Sequence, residues 1–128
     1  MADVHFLVFS ALLAWLMIMV AAELHTPTWT SSGAKLAFGN RDHMPERSTL
    51  AARADRAAKN MVENLVVFVA LFAAARFAGG SAKLGSEIFF FARLAYFGLY
   101  LAGVVYARTL AWAVSLFGLL LLVWAAVG

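Results

Sequence analysis

Arg53, Arg56, Asn60 and Glu63 follow one another at intervals of three, four and three residues in the stretch RADRAAKNMVENLVVFVALFAAA. On a helix turning 100° per residue, Arg56, Asn60 and Glu63 fall within about 60° of arc. Arg53 and Lys59 flank them, and Asn64 extends the same stripe. Further along, Arg93, Tyr96 and Tyr100 in ARLAYFGLY are three and four residues apart and so share one helix face. Arg108 follows, next to Thr109. Guanidinium and ammonium groups bind carboxylates and phosphates, and amides and phenols satisfy peptide-like groups. Gathered at one end of a bundle, these residues would make a cationic pocket for a small polyanion with peptide-like character.

The elements that must position them are apolar. The chain has 128 residues, of which 64% are hydrophobic, and a mean hydropathy of +0.84. Soluble domains are about 45–50% apolar, so this chain reads as an integral membrane protein. Four apolar runs, at about 4–24, 59–77, 88–106 and 110–127 with a short break at Ala107–Thr109, are each long enough to span a bilayer and imply helices at about 4–24, 53–77, 84–106 and 108–127. In lipid each run must satisfy its own backbone hydrogen bonds, which makes helices the default. The expected fold is an all-α, antiparallel bundle of four transmembrane helices in one domain, with a polar loop at 25–52 and a Gly/Ser turn, AGGSAKLGSE, at 78–87. The first run does not read as a cleaved signal: Asp3 and His5 precede it, with no Lys or Arg.

The absence of cysteine excludes disulfides, thiolate metal sites and a cysteine nucleophile. His5, His25 and His43 lie outside the span centres, so neither a metal site nor paired haem ligands are expected. The basic charge lies between spans and argues for topology, not for a nucleic-acid partner. Lys35, Arg41, Arg47 and Arg53 lie in or beside the long loop, Arg56 and Lys59 just beyond it, and Arg108 in the other turn on that side; the opposite side has only Arg76 and Lys83. The positive-inside rule then puts the long loop in the cytoplasm and both termini outside.

Arg53, Arg56 and Lys59 could serve as headgroup anchors whose long side chains reach the interface. Glu63 and Asn60 are too short for that and lie deeper, and lipid penalises such groups. A buried ion pair between Glu63 and Arg93 is therefore expected, either as a staple of the bundle or as part of a binding site.

The pattern R-x-x-R-A-x-x-N-x-x-E, here Arg53, Arg56, Ala57, Asn60 and Glu63, is followed by A-R-L-x-Y-F-x-x-Y, here Ala92, Arg93, Leu94, Tyr96, Phe97 and Tyr100. Both in order in a four-span chain resemble the membrane-associated proteins in eicosanoid and glutathione metabolism, the MAPEG family. The GNRDHMPE loop resembles the short bacterial branch, which implies a bacterial inner membrane. The resemblance covers essentially the whole chain. It implies a homotrimer with glutathione as co-substrate, bound between neighbouring subunits on the cytoplasmic side, and a lipophilic electrophile entering from the bilayer. Arg53, Arg56, Lys59, Asn60 and Glu63 from the second span, and Arg93, Tyr96 and Tyr100 from the third, would hold glutathione. Arg108 would match the arginine that favours its thiolate and so act in catalysis. Asn64 stands where some members carry Tyr, and Lys59 where some carry Arg. The small residues Ala54, Ala57, Ala58 and Ala70 would let the second helices approach one another near the three-fold axis.

The function this implies is that of a glutathione transferase or peroxidase in detoxification. A non-catalytic glutathione- or lipid-binding membrane protein is the alternative. A small four-helix multidrug exporter fits less well, because it needs a carboxylate deep in the first helix, and here only Glu23, at its end, is present.

Overall fold

In the computed structural model, which describes residues 2–128, five helices follow one another. They are α1 (Asp3–His25), α2 (Ser31–Phe38), α3 (Thr49–Phe77), α4 (Lys83–Ala102) and α5 (Val105–Val127). Four of them, α1, α3, α4 and α5, are long and apolar enough to cross a membrane. They form an antiparallel bundle in which α3 and α4 sit centrally. α1 packs on both of these from one side and α5 packs on both from the other. The outward side chains are apolar, including Leu12, Trp15, Val66, Phe117 and Leu120. That is the pattern expected when the surrounding solvent is lipid.

The centre is closed by Met17 of α1, Met61 and Phe68 of α3, Phe89 of α4 and Leu122 of α5, all fully buried. The Phe68 and Phe89 rings stack 4.2 Å apart, at an interplanar angle of 7°. Ala54, Ala57 and Ala58 are buried against the chain's own helices, whereas Ala70 is exposed. The first three small residues thus serve packing within the subunit, not an approach of α3 to a symmetry-related copy. α4 and α5 approach closely at Gly85 and Gly118. A Cβ on either would lie 2.8 Å from the other's carbonyl oxygen.

Three boundaries differ from the sequence expectation. The polar segment is not wholly a loop: Thr30 accepts a bond from Gly33 N at 3.0 Å and starts the short helix α2. α3 begins four residues early, at Thr49, where the Ser48 hydroxyl caps Ala51 N at 3.1 Å. The break between the last two spans falls at Gly103–Val104, not at 107–109. Gly103 has φ +76, and Val104 N–H returns to Leu99 O at 3.0 Å. This is the left-handed glycine stop that ends many helices. It places Arg108 on the first turn of α5. α3 ends in the same manner: Gly79 has φ +77, and Gly80 N–H bonds to Ala75 O at 3.0 Å.

The length of α3 fixes the depth of its polar stripe. A hydrocarbon core takes about 20 helical residues, and α3 has 29. Counted back from Phe77, Arg53 and Arg56 stand beyond the apolar layer, whereas Asn60, Glu63 and Asn64 stand within it.

Candidate functional site

Arg93 projects from the middle of α4 and is fully buried. Its Nη2 donates to Asn60 Oδ1 of α3 at 2.7 Å, and its Nε donates to Met61 Sδ at 3.3 Å. Its guanidinium carbon lies 4.2 Å from the centre of the Tyr96 ring. Nη1 has no acceptor among the described residues. A desolvated cation held by an amide, a thioether and a π face lacks the counter-charge that burial ordinarily demands.

One turn along α4, the Tyr100 ring meets the Tyr96 ring edge-on, with centroids 5.4 Å apart. Arg108 of α5 covers Tyr100, its guanidinium carbon 4.3 Å from the ring centre. Arg56 of α3 donates Nε to the Tyr100 hydroxyl at 3.2 Å. Arg53, one turn before Arg56, lies against the α4–α5 turn; a Cβ on Gly103 would come within 2.9 Å of its guanidinium. α3, α4 and α5 thus bring Arg53, Arg56, Asn60, Arg93, Tyr96, Tyr100 and Arg108 together at the end of the bundle near the 26–48 segment. A cation on the first turn of α5 opposes the helix dipole. No side chain caps that helix, so its leading N–H groups add to the positive field around Arg108.

Lys59 and Glu63 do not join this cluster. Lys59 pairs with Asp55 at 3.0 Å, and Arg47 approaches the same carboxylate at 3.9 Å. Glu63 is exposed and forms no ion pair among the described residues. The expected Glu63–Arg93 pair is therefore absent from the chain. The reason is angular: Asn60 points at Arg93 of α4, and Glu63, three residues on, is turned by about 60° toward α1. There it lines a groove of about 750 Å³ between α1, the 26–48 segment and α3, together with Lys59, Val62, Ile18, Met19 and Phe38. A second hollow of about 730 Å³ lies beside it, lined by Arg56, Arg41, Arg47 and His25 among others. His25 Nε2 lies 2.8 Å from Pro45 O and ties the polar segment to the end of α1.

Two participants had no signal in the sequence. Met61 is a weak acceptor, and nothing in its spacing marks it as a partner of Arg93. Gly103 gives Arg53 its resting place, and only its potential as a helix stop in an apolar run could have pointed to it. No group of His, Asp and Glu that could hold a metal occurs among the described residues.

The MAPEG family model matches residues 4–128. No curated protein is significantly similar to the chain.

Proposed function

The chain belongs to the MAPEG family of integral membrane proteins, which includes glutathione transferases, and on that premise we propose that it is a membrane-bound glutathione transferase-like enzyme. It conjugates or reduces lipophilic electrophiles with glutathione held as thiolate. One observation carries this reading: the guanidinium groups of Arg53, Arg56, Arg93 and Arg108 gather at one end of the bundle without a carboxylate partner among the described residues. Such a site calls for a ligand that brings more than one negative charge. Glutathione brings two carboxylates, peptide carbonyls and an ionisable thiol.

In this reading Arg53 and Arg56 attract the carboxylates, and Asn60, Arg93, Tyr96 and Tyr100 take the peptide groups. Arg108 and the uncapped start of α5 face the sulfur. A free thiol has a pKa of about 8.5 and is a weak nucleophile at neutral pH. An adjacent guanidinium favours its anion, which attacks the electrophilic carbon and expels the leaving group with its electron pair. The electrophile reaches the sulfur from the bilayer. Lys59 and Glu63 enter the site through a homotrimer, in which the α1–α3 groove of one subunit meets the cationic cluster of the next. The exposure of Glu63 within the apolar length of α3 supports this, because a carboxylate is costly against lipid. The concentration of Lys and Arg around the 26–48 segment supports a cytoplasmic position for it.

The test is made on protein purified in mild detergent. Conjugation of glutathione to a chloro-nitroaromatic acceptor is expected, together with thiolate absorbance in the far ultraviolet on adding glutathione at neutral pH. Binding of glutathione with neither thiolate nor turnover would reduce the protein to a binder. Light scattering with the detergent contribution subtracted should give three chains per particle, and a monomer or dimer would remove the shared site.

A further inference from the structure

A side-chain amide can be turned through 180°, which exchanges an acceptor for two donors and inverts what it reads on a ligand. Asn60 is held so that only one of these states is allowed. Arg93 can only donate, so the Asn60 atom 2.7 Å from its Nη2 must be the oxygen. Asn64, one turn further along α3, supplies a second donor. Its Nδ2 lies 3.3 Å from the same Asn60 Oδ1 and 2.9 Å from the Asn60 backbone carbonyl. The carbonyl fixes the orientation of Asn64 in turn, since the end of its amide that meets an oxygen must be the nitrogen. Both lone pairs of Asn60 Oδ1 are then occupied. Asn60 Nδ2 keeps two N–H groups with no acceptor among the described residues, on a side chain that is half-buried at the cluster.

The geometry points to Asn64 as a positioning residue. With Arg93, it holds Asn60 as an obligate donor, so that this point of the site accepts a carbonyl or carboxylate oxygen and rejects an N–H or ammonium group. Turning Asn60 over would bring its NH₂ against Arg93 Nη2 and Asn64 Nδ2, three donors with no acceptor between them. The identity of the ligand rests on the glutathione reading above. The amide lock itself belongs to the ligand-free protein, and the two can fail separately.

The experiment uses the full chain in detergent or nanodiscs. The Asn60 side-chain ¹⁵N–¹H₂ signals are identified by their loss in Asn60→Leu, and glutathione affinity is measured by calorimetry. The wild type should show a sharp, well-separated NH₂ pair without ligand. Asn64→Leu, close in volume but without a donor, should shift and broaden that pair and weaken glutathione binding about tenfold, the loss of one well-placed hydrogen bond. In the Asn60→Leu background the same substitution should weaken binding no further. Asn64→Gln, which keeps the donor, should recover part of the loss and covers the case in which Asn64→Leu folds poorly. An unchanged Asn60 signal in Asn64→Leu overturns the proposal, as do losses that add in the double variant. A lock that responds as expected in a protein that binds no glutathione upholds the positioning role and overturns the glutathione reading.

Discussion

Arg93 Nη2 and Asn60 Oδ1 meet at 2.7 Å in the bundle interior, whereas the nearest acidic residue along α3, Glu63, stands on another face. The one fully buried cation of the spans is thus stabilised by an amide rather than by a carboxylate. Its charge has no carboxylate partner among the described residues, and such a surplus favours an anion.

The stability of the fold should follow this pairing. Asn60→Leu removes the only oxygen acceptor that a buried guanidinium has among the described residues and should destabilise the protein by about 1–3 kcal/mol. Glu63→Gln removes no partner of Arg93 within the subunit and should lower stability by less than Asn60→Leu does. Thermal unfolding in one detergent ranks the two, and the opposite order would identify Glu63 as the partner that matters.

Arg108 and Arg56 should separate kinetically. Arg108→Leu should remove thiolate absorbance and most of kcat with little change in glutathione affinity. Arg56→Ala should raise the KM for glutathione with turnover recovered at saturation, the signature of lost uniform binding. An Arg108→Leu variant with a raised KM and unchanged kcat would make Arg108 a carboxylate clamp.

The glycines should sort by what their missing side chains would touch. A Cβ at Gly118 would meet Gly85 O at 2.8 Å and Phe89 N at 2.9 Å, both backbone atoms that cannot swing aside. Gly118→Ala should therefore cost about 1–3 kcal/mol through overpacking. Gly98, in the interior of α4, has nothing within 4 Å of such a Cβ. Gly98→Ala should gain about 0.5–1 kcal/mol from helix propensity alone. Equal melting temperatures for the two variants would mean that α4 and α5 do not touch at Gly85 and Gly118.

The four spans were legible because lipid imposes a simple demand, a long apolar run that closes its own hydrogen bonds, and the sequence meets it four times. The polar faces of α3 and α4 were legible from spacing for Arg56, Asn60, Arg93, Tyr96 and Tyr100. What spacing could not supply was rotation between helices. Asn60 and Glu63 lie on one stripe of an isolated helix, yet the packing of Ala54, Ala57 and Met61 turns α3 so that only Asn60 meets Arg93. The end of α4 differs from the hydropathy expectation because one glycine decides it. Gly103 sits inside an unbroken apolar run, and hydropathy cannot report that its backbone turns left-handed. The helix α2 was not legible because SSGAKLAF is only eight residues long, lies within a polar segment and is started by one hydroxyl, that of Thr30.

Asp3 and Arg76 form an ion pair at the opposite end of the bundle, joining the start of α1 to the end of α3. The Arg76 side chain is 57% exposed. Asp3→Asn should therefore lower stability by no more than about 1 kcal/mol, and the difference should shrink in high salt. A larger, salt-independent loss would place the pair in a drier setting than its exposure indicates.

The two-residue link at Gly103–Val104 leaves no slack for α4 and α5 to enter the bilayer one after the other. α4 and α5 pack extensively on each other, with a close approach at Gly85 and Gly118. Lys83 to Val127 is therefore a single helical hairpin, whose halves enter the bilayer together. Arg93, which no lipid would welcome alone, is shielded in that hairpin only on one side until α3 offers Asn60 and Met61. Shielding of this arginine and assembly of the site are therefore the same act of packing, since the residues that cover it in α3 are residues of the site.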